Sequence, residues 1–181
     1  MVDLRAKIRE KRTSMERRIT QEVKLSWGKK GEYLVIFQFI LMIFFVFLPA
    51  VPCVDAGLLR AMAPFRWFIL ACTWAAALLL GASGSRQLRK FLTPLPYPVD
   101  HNQLVTSGAY ALVRHPLYSS LLLAATGWTL FTMSLAHLFL TLFGFIFFSY
   151  KASREERWLT ERHPEYADYA RRVKRFIPWL F

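Results

Sequence analysis

Acidic side chains and cysteines are both scarce in this chain of 181 residues, and each scarcity excludes something. There are 12 Asp and Glu against 24 Lys and Arg, for a formal charge of +12. The two cysteines, Cys53 and Cys72, stand 19 positions apart with no CxxC pair. A disulfide framework and a thiolate zinc site are thereby excluded. Charge of either sign is missing from whole stretches. No Asp, Glu, Lys, Arg or His occurs over the 22 residues from Tyr33 to Val54 or the 19 from Trp67 to Ser85, and only His137 interrupts the 35 from Pro116 to Tyr150. A helix needs roughly 20 apolar residues to cross about 30 Å of hydrocarbon, and a helix buried in a soluble core seldom stays uncharged so long. The chain reads as an all-α integral membrane protein.

What is present fills in the plan. Apolar residues make up 55% of the chain and aromatics 16%, a composition outside the usual range for a small soluble domain. The 35-residue stretch is too long for one span and long enough for a tight hairpin of two, with Thr132-Met133-Ser134-Leu135-Ala136-His137 as the turn. Four spans are expected, at about 32–52, 66–84, 116–132 and 136–151, the last two short enough to need tilt or local thinning. The second contains Ala71, Ala75, Ala76, Ala77, Gly81, Ala82 and Gly84, small residues that let helices approach closely in lipid.

The basic residues orient the chain. Residues 1–30 hold ten Lys/Arg against four acids, the 86–114 connection holds four and the tail from Lys151 holds eight, while the two remaining turns carry only Arg60 and Arg66. By the positive-inside rule both termini and the 86–114 loop face the cytoplasm. The positive charge is thus a signal of orientation, and no groove-reading or base-stacking module points to nucleic acid. The N-terminus is too charged for a secretory signal.

Residues 1–30 form a basic segment, and 31–181 a single membrane domain. Within the first, Leu4, Ile8, Met15, Ile19, Val23 and Trp27 share one helical stripe, which suits a helix lying on an anionic leaflet. A solvated basic tail is the alternative. The three alternating prolines of residues 91–98 give an extended loop, and Gly108 suits a turn. Ser153 is placed to cap a cytoplasmic helix carrying Glu155 and Glu156, which Pro164 ends; another follows with Tyr166, Tyr169 and Val173.

One frame occurs twice: RHPLY at 114–118 and RHPEY at 162–166. The first sits where a loop enters a membrane span, with Pro116 opening the helix at no cost in hydrogen bonds. Polar groups held at membrane depth are candidates for function; interface anchoring by Arg114, His115 and Tyr118 is the alternative. The second copy lies in a polar stretch, where His163-Pro164 reads as a helix stop. Their flanks differ, so no repeat is supported.

The run LVTSGAYALVRHPLYSSLLLAATG (104–127), then EERWL (155–159), then YADYARRVKRFIP (166–178) resembles the isoprenylcysteine carboxyl methyltransferase and phospholipid methyltransferase superfamily. Its pattern runs LVT-x-G-x-Y, RHP-x-Y-x-G, EE-x-x-L and Y-x-x-Y-x-x-R-V. Ser120 stands where that pattern has Gly, and Ala109 where it commonly has Pro. The resemblance covers roughly residues 100–178. It implies an integral membrane enzyme that moves a methyl group from S-adenosylmethionine to a lipophilic acceptor, an isoprenylcysteine-type carboxylate or a lipid amine, and releases S-adenosylhomocysteine. It also implies that Asn102, Gln103, Leu104, Val105, Tyr110, His115, Pro116, Leu117, Tyr118 and Glu155 line the cofactor pocket. Lys151 matches a basic position near the substrate, and Arg154 is the other candidate for that catalytic place. No metal is implied. The rival readings are an NADPH-dependent membrane enzyme like the sterol reductases and a non-catalytic membrane scaffold of the same fold.

Overall fold

The computed structural model describes residues 31–88 and 104–181. The amphipathic stretch 4–27, the proline loop 91–98, and Asn102 and Gln103 lie outside the described residues. Among the described residues every regular element is a helix: α1 (Glu32–Phe47), α2 (Ala56–Ala61), α3 (Ala63–Leu88), α4 (Ala109–Leu112), α5 (Pro116–Thr132), α6 (Leu135–Arg162) and α7 (Tyr166–Arg172). A single parallel bridge joins Val113 and Lys174.

The local sequence accounts for most boundaries. α1 stops at Phe47 because Leu48 precedes Pro49 and takes an extended conformation (φ −66°, ψ 126°). The Asp55 carboxylate caps α2, accepting from the Gly57 and Leu58 amides at 2.8 and 3.0 Å. Pro116 opens α5, and Met133, left-handed at φ 50°, closes it and turns the chain into α6. The hairpin turn therefore falls where the polar residues 132–137 place it.

Helices stand at all four places where spans are expected, but two of them, α3 and α6, are long and apolar enough to cross a membrane by length and composition. α1 has 16 residues and α5 has 17, about 24 and 26 Å of rise. Prolines 49 and 52 cut the first short, and Pro116 and Met133 bound the second. A second correction concerns the end of α6. Ser153 does not cap a new helix; its hydroxyl donates to the Ser149 carbonyl at 2.9 Å inside one continuous helix of 28 residues. No Gly or Pro lies between Phe145 and Arg162 to interrupt it. The helix ends where Pro164 requires, with His163 as its last bonded residue.

Large apolar side chains cover the outside: Phe39, Phe44 and Phe47 on α1, Phe68, Leu78 and Leu79 on α3, Phe139 and Ile146 on α6. Only 17% of the apolar stretch of α3 and 39% of that of α6 is buried within the protein. A soluble protein does not leave such a surface to water, whereas hydrocarbon suits it.

The tightest packing is between α3 and α5, and small residues make it possible. A methyl at Gly81 would stand 3.1 Å from Ser120 Oγ, and one at Gly84 3.0 Å from Pro116 Cγ. At Gly127 it would meet Thr73 Oγ1 at 2.0 Å and Thr73 Cβ at 2.8 Å, so rotating the threonine gives no relief. By contrast, a methyl on Gly144 of α6 meets nothing within 4 Å. At the hairpin end Arg66 ties α3 across, donating from Nε to the Phe131 carbonyl at 2.6 Å and from Nη1 to that of Leu59 at 3.1 Å.

Gly127 and Gly144 give a paired test of the packing. Gly127→Ala should destabilise the protein by about 1–3 kcal/mol, the usual cost of overfilling a close contact. Gly144→Ala should unfold at or above the wild-type temperature. Thermal unfolding of both variants in detergent measures this, and equal loss in the two would contradict the assigned α3–α5 contact.

Candidate active site

The Arg114-His115-Pro116 segment is held from three sides. Its main chain lies along the C-terminal tail, with the Arg114 amide donating to the Lys174 carbonyl at 2.8 Å and the His115 amide to that of Arg175 at 3.1 Å. Gly108, at φ 58°, turns the chain into α4, where the Ala109 amide donates to Gln87 Oε1 of α3 at 3.0 Å. A side chain at Gly108 would collide with that glutamine, at 1.5 Å from its Nε2. The Tyr169 hydroxyl of α7 donates to the Tyr110 carbonyl at 2.6 Å.

Side chains then converge on two adjacent carboxylates of α6. Glu156 accepts from Arg114 Nε at 3.0 Å, from Arg175 Nε at 3.1 Å and from Arg175 Nη2 at 2.5 Å. Arg114 also donates to the Ala170 and Val173 carbonyls at 2.8 and 2.5 Å, and Arg175 to Ser153 Oγ at 3.1 Å. His115 lies between the two acids, Nε2 at 3.0 Å from Glu156 and Nδ1 at 3.3 Å from Glu155. Carboxylates accept and do not donate, so an imidazole bonded to both must donate from both nitrogens, which only the charged form can do. Burial by itself would lower the His115 pKa, but the bonds to Glu155 and Glu156 and their charges outweigh it and hold it above its ordinary 6.5. Nearby Tyr110 is pushed up by burial first, then by Tyr169 and Glu155.

Glu155 also accepts from the Tyr118 hydroxyl. The Tyr118 ring lies nearly parallel to His115, centroids 5.5 Å apart at 6°, and stacks on Phe148 at 4.9 Å and 26°. Lys151 Nζ sits 5.2 Å over the same ring and donates to Gln38 Oε1 of α1 at 2.6 Å. Its side chain is 1% exposed. The stack His115–Tyr118–Phe148 thus runs from the ion cluster to an apolar cavity of about 400 Å³ between α1, α3, α5 and α6, with Phe148 in its wall.

The structure brings together Tyr110, His115, Tyr118, Lys151 and Glu155 of the residues expected at the site. Leu104 and Val105 are half-buried in the segment leading to α4. Pro116 and Leu117 face α3 at Gly84, where there is little room between the helices. Arg154 lies 5.4 Å over the Trp158 ring. His163, of the second RHP copy, caps the end of α6 and meets Glu165 at 3.3 Å, about two helical turns beyond Glu156.

Two residues were not placed at the site by the sequence, where Glu156 reads only as an acid in the first turn of a helix. Glu156 stands beside Glu155 in the EE doublet, and successive helical residues point about 100° apart. The two serve one ligand nonetheless, one at each nitrogen of His115. Gln38 is the one amide side chain in the run 33–54, and that isolation in an apolar stretch was the available signal.

The charge on His115 predicts a pH dependence. Its folded pKa is raised, so its contribution to stability is complete below about pH 6.5 and is lost as pH climbs through the folded value. The unfolding temperature of wild type should fall toward that of His115→Gln over this range. A difference between the two that stays constant with pH would mean that the imidazole is neutral.

The same stretch of chain is found in known proteins. A family model described as phospholipid methyltransferase matches residues 67–166, from α3 to the start of α7. The cobalt-zinc-cadmium resistance protein CzcN of Cupriavidus metallidurans is 42% identical over 81 residues, which is 44% of this chain and 38% of that protein. The match covers less than two-fifths of the length of that relative. The family match takes in more than half of the 181 residues, and the chain belongs to the phospholipid methyltransferase family.

Proposed function

We propose that the protein is an integral membrane enzyme that transfers a methyl group from S-adenosylmethionine to a lipophilic acceptor entering from the bilayer. The observation that carries the reading is the continuous stack His115–Tyr118–Phe148, polar and ionised at one end and opening on the apolar cavity at the other. A methyltransferase acting on a lipid needs a polar cofactor and an apolar acceptor to meet at one point.

The residues suit both partners. The cofactor's ammonium and ribose hydroxyls call for acceptors, and each Glu155 oxygen retains a second lone pair beyond Tyr118 and His115. Its carboxylate calls for cations, and the cluster sets Arg114, His115 and Arg175 against two acids. When bound, the cofactor supplies an electrophilic methyl carbon on a sulfonium whose sulfur keeps the electron pair as the bond breaks. Catalysis is then mostly a matter of position. Lys151, buried beside Tyr118, is placed to meet an anionic or carbonyl group of the acceptor, while the Tyr118 and Phe148 rings keep water out. A carboxylate acceptor needs no base; an amine must arrive deprotonated.

In this reading α1, α3, α5 and α6 all cross the bilayer, both termini and the ion cluster lie on the cytoplasmic side, and the basic segment 1–30 meets anionic headgroups. The Lys/Arg distribution supports it.

Titration of the purified protein with S-adenosylhomocysteine tests the assignment. Wild type should bind it and should not bind NADPH. Glu155→Gln should lose about 1.5–3 kcal/mol of affinity, the range for hydrogen bonds to charged groups. His115→Ala should lose most binding, and His163→Ala should match wild type. Lys151→Ala should keep cofactor affinity and lose turnover. Binding of NADPH in place of S-adenosylhomocysteine, or wild-type affinity in Glu155→Gln, would contradict the assigned cofactor site.

A further inference from the structure

At the opposite end of the cavity from Lys151 there is a buried group that neither the fold nor the proposed reaction uses. His137, in the first turn of α6, is completely buried, and neither ring nitrogen has a hydrogen-bond partner among the described residues. A neutral imidazole carries one donor and one acceptor, and folded proteins seldom leave such groups unsatisfied away from water, because the cost is high. The ring is packed edge-on against Phe45, centroids 4.9 Å apart, and lies 6.4 Å from Trp128. Phe45 and Trp128 are both in the cavity wall, so the imidazole is one layer of rings behind it.

The register of α6 links this group to the cavity. His137, Thr141, Gly144, Phe148 and Lys151 follow one another at intervals of three or four, and so share a face. Thr141, Gly144 and Phe148 line the cavity. At 1.5 Å per residue the face extends about 21 Å from His137 to Lys151. Its middle is open, since a side chain at Gly144 would meet nothing within 4 Å. Polar groups return only toward the hairpin end, where Thr141 Oγ1 lies 2.9 Å from Thr129 Oγ1. Only one hydrogen is shared in that pair, so the other hydroxyl has one to give.

We infer that this end of the cavity is a recognition point for a hydroxyl or carbonyl at the far end of the acceptor's chain. The inference rests on the reading of the cavity as the acceptor site and narrows the substrate class: a single apolar chain with the methylated group at one end and a second polar group about 20 Å away. A hydroxyl fits best, because it can either donate or accept and so pairs with whichever ring nitrogen faces it, in either tautomer. Thr141 meets it at the cavity wall, and His137 receives it between the Phe45 and Trp128 rings. A plain hydrocarbon tail would leave the imidazole unpaired.

The experiment is isothermal titration of the detergent-purified protein, saturated with S-adenosylhomocysteine, with palmitic acid and with its terminally hydroxylated analogue. The hydroxylated probe should bind about tenfold more tightly, as expected for one good hydrogen bond in a dry site. That advantage should fall below about twofold in His137→Leu, with palmitate affinity retained. Thr141→Val, which keeps the shape of the side chain, should cut the advantage in the same direction and serves if the histidine variant does not fold. S-adenosylhomocysteine affinity in each variant reports that the fold is intact. Equal affinity for the two probes in wild type, or an advantage that survives both substitutions, overturns the recognition point. Binding of neither probe, with S-adenosylhomocysteine bound normally, overturns the acceptor cavity itself.

Discussion

Glu156, with a side chain only 13% exposed, holds Arg114, His115 and Arg175 around one carboxylate, and the geometry of the candidate site follows from that cluster. Through Arg175 it fixes the C-terminal tail, through Arg114 the end of α7, and through His115 the first turn of α5. Removing one partner from a buried cluster of this kind leaves the other charges uncompensated and costs about 3–5 kcal/mol. The exposed pair Arg171–Asp168, at 79% and 65% exposure, contributes well under about 1 kcal/mol. The tail beyond α7 is therefore held by one acid of α6 more than by its own helix, and the stack of rings above Glu155 inherits its position from it.

A single helix carries both halves of the proposed chemistry. α6 brings the apolar cavity wall at Thr141, Gly144 and Phe148 and the ionised end at Lys151, Glu155 and Glu156 into one rigid register. Continuity through residue 151 matters here. A break at Ser153 would have let the carboxylates move independently of the cavity, whereas the unbroken helix fixes their separation from it. Close approach of α3 to α5, permitted by Gly81, Gly84 and Gly127, sets the opposite wall and leaves Pro116 wedged where α5 begins.

Much of this was legible in the sequence, for identifiable reasons. Uncharged runs located the helices, because a helix in a soluble core seldom goes roughly 20 residues without a charge. Pro116 and the polar turn at 132–137 set α5 and its hairpin nearly to the residue. That His115 and Glu155 would stand together was readable through resemblance. The lengths of α1 and α6 were less so, since apolar residues continue past the prolines that end the first, and the second runs on beyond its apolar stretch as far as Arg162. Hidden altogether were contacts made by residues distant in the chain: Gln38 with Lys151, Arg175 with Glu156, and the tail lying beside Val113. No local pattern encodes which arginine of a basic tail returns to which acid. The twin RHP frames make the same point, since the identity of three residues fixed nothing until their surroundings were known.

Transfer of a methyl group into a lipid-soluble acceptor is the central claim, and it can be followed directly. The purified protein is reconstituted in phospholipid vesicles containing a membrane lipid extract and supplied with S-adenosylmethionine tritiated on the methyl group. Label is then counted in the organic phase after extraction. Organic-phase label should depend on the protein and be lost in Glu155→Gln and Lys151→Ala. Label that remains wholly in the aqueous phase, from protein that binds S-adenosylhomocysteine normally, would contradict the claim.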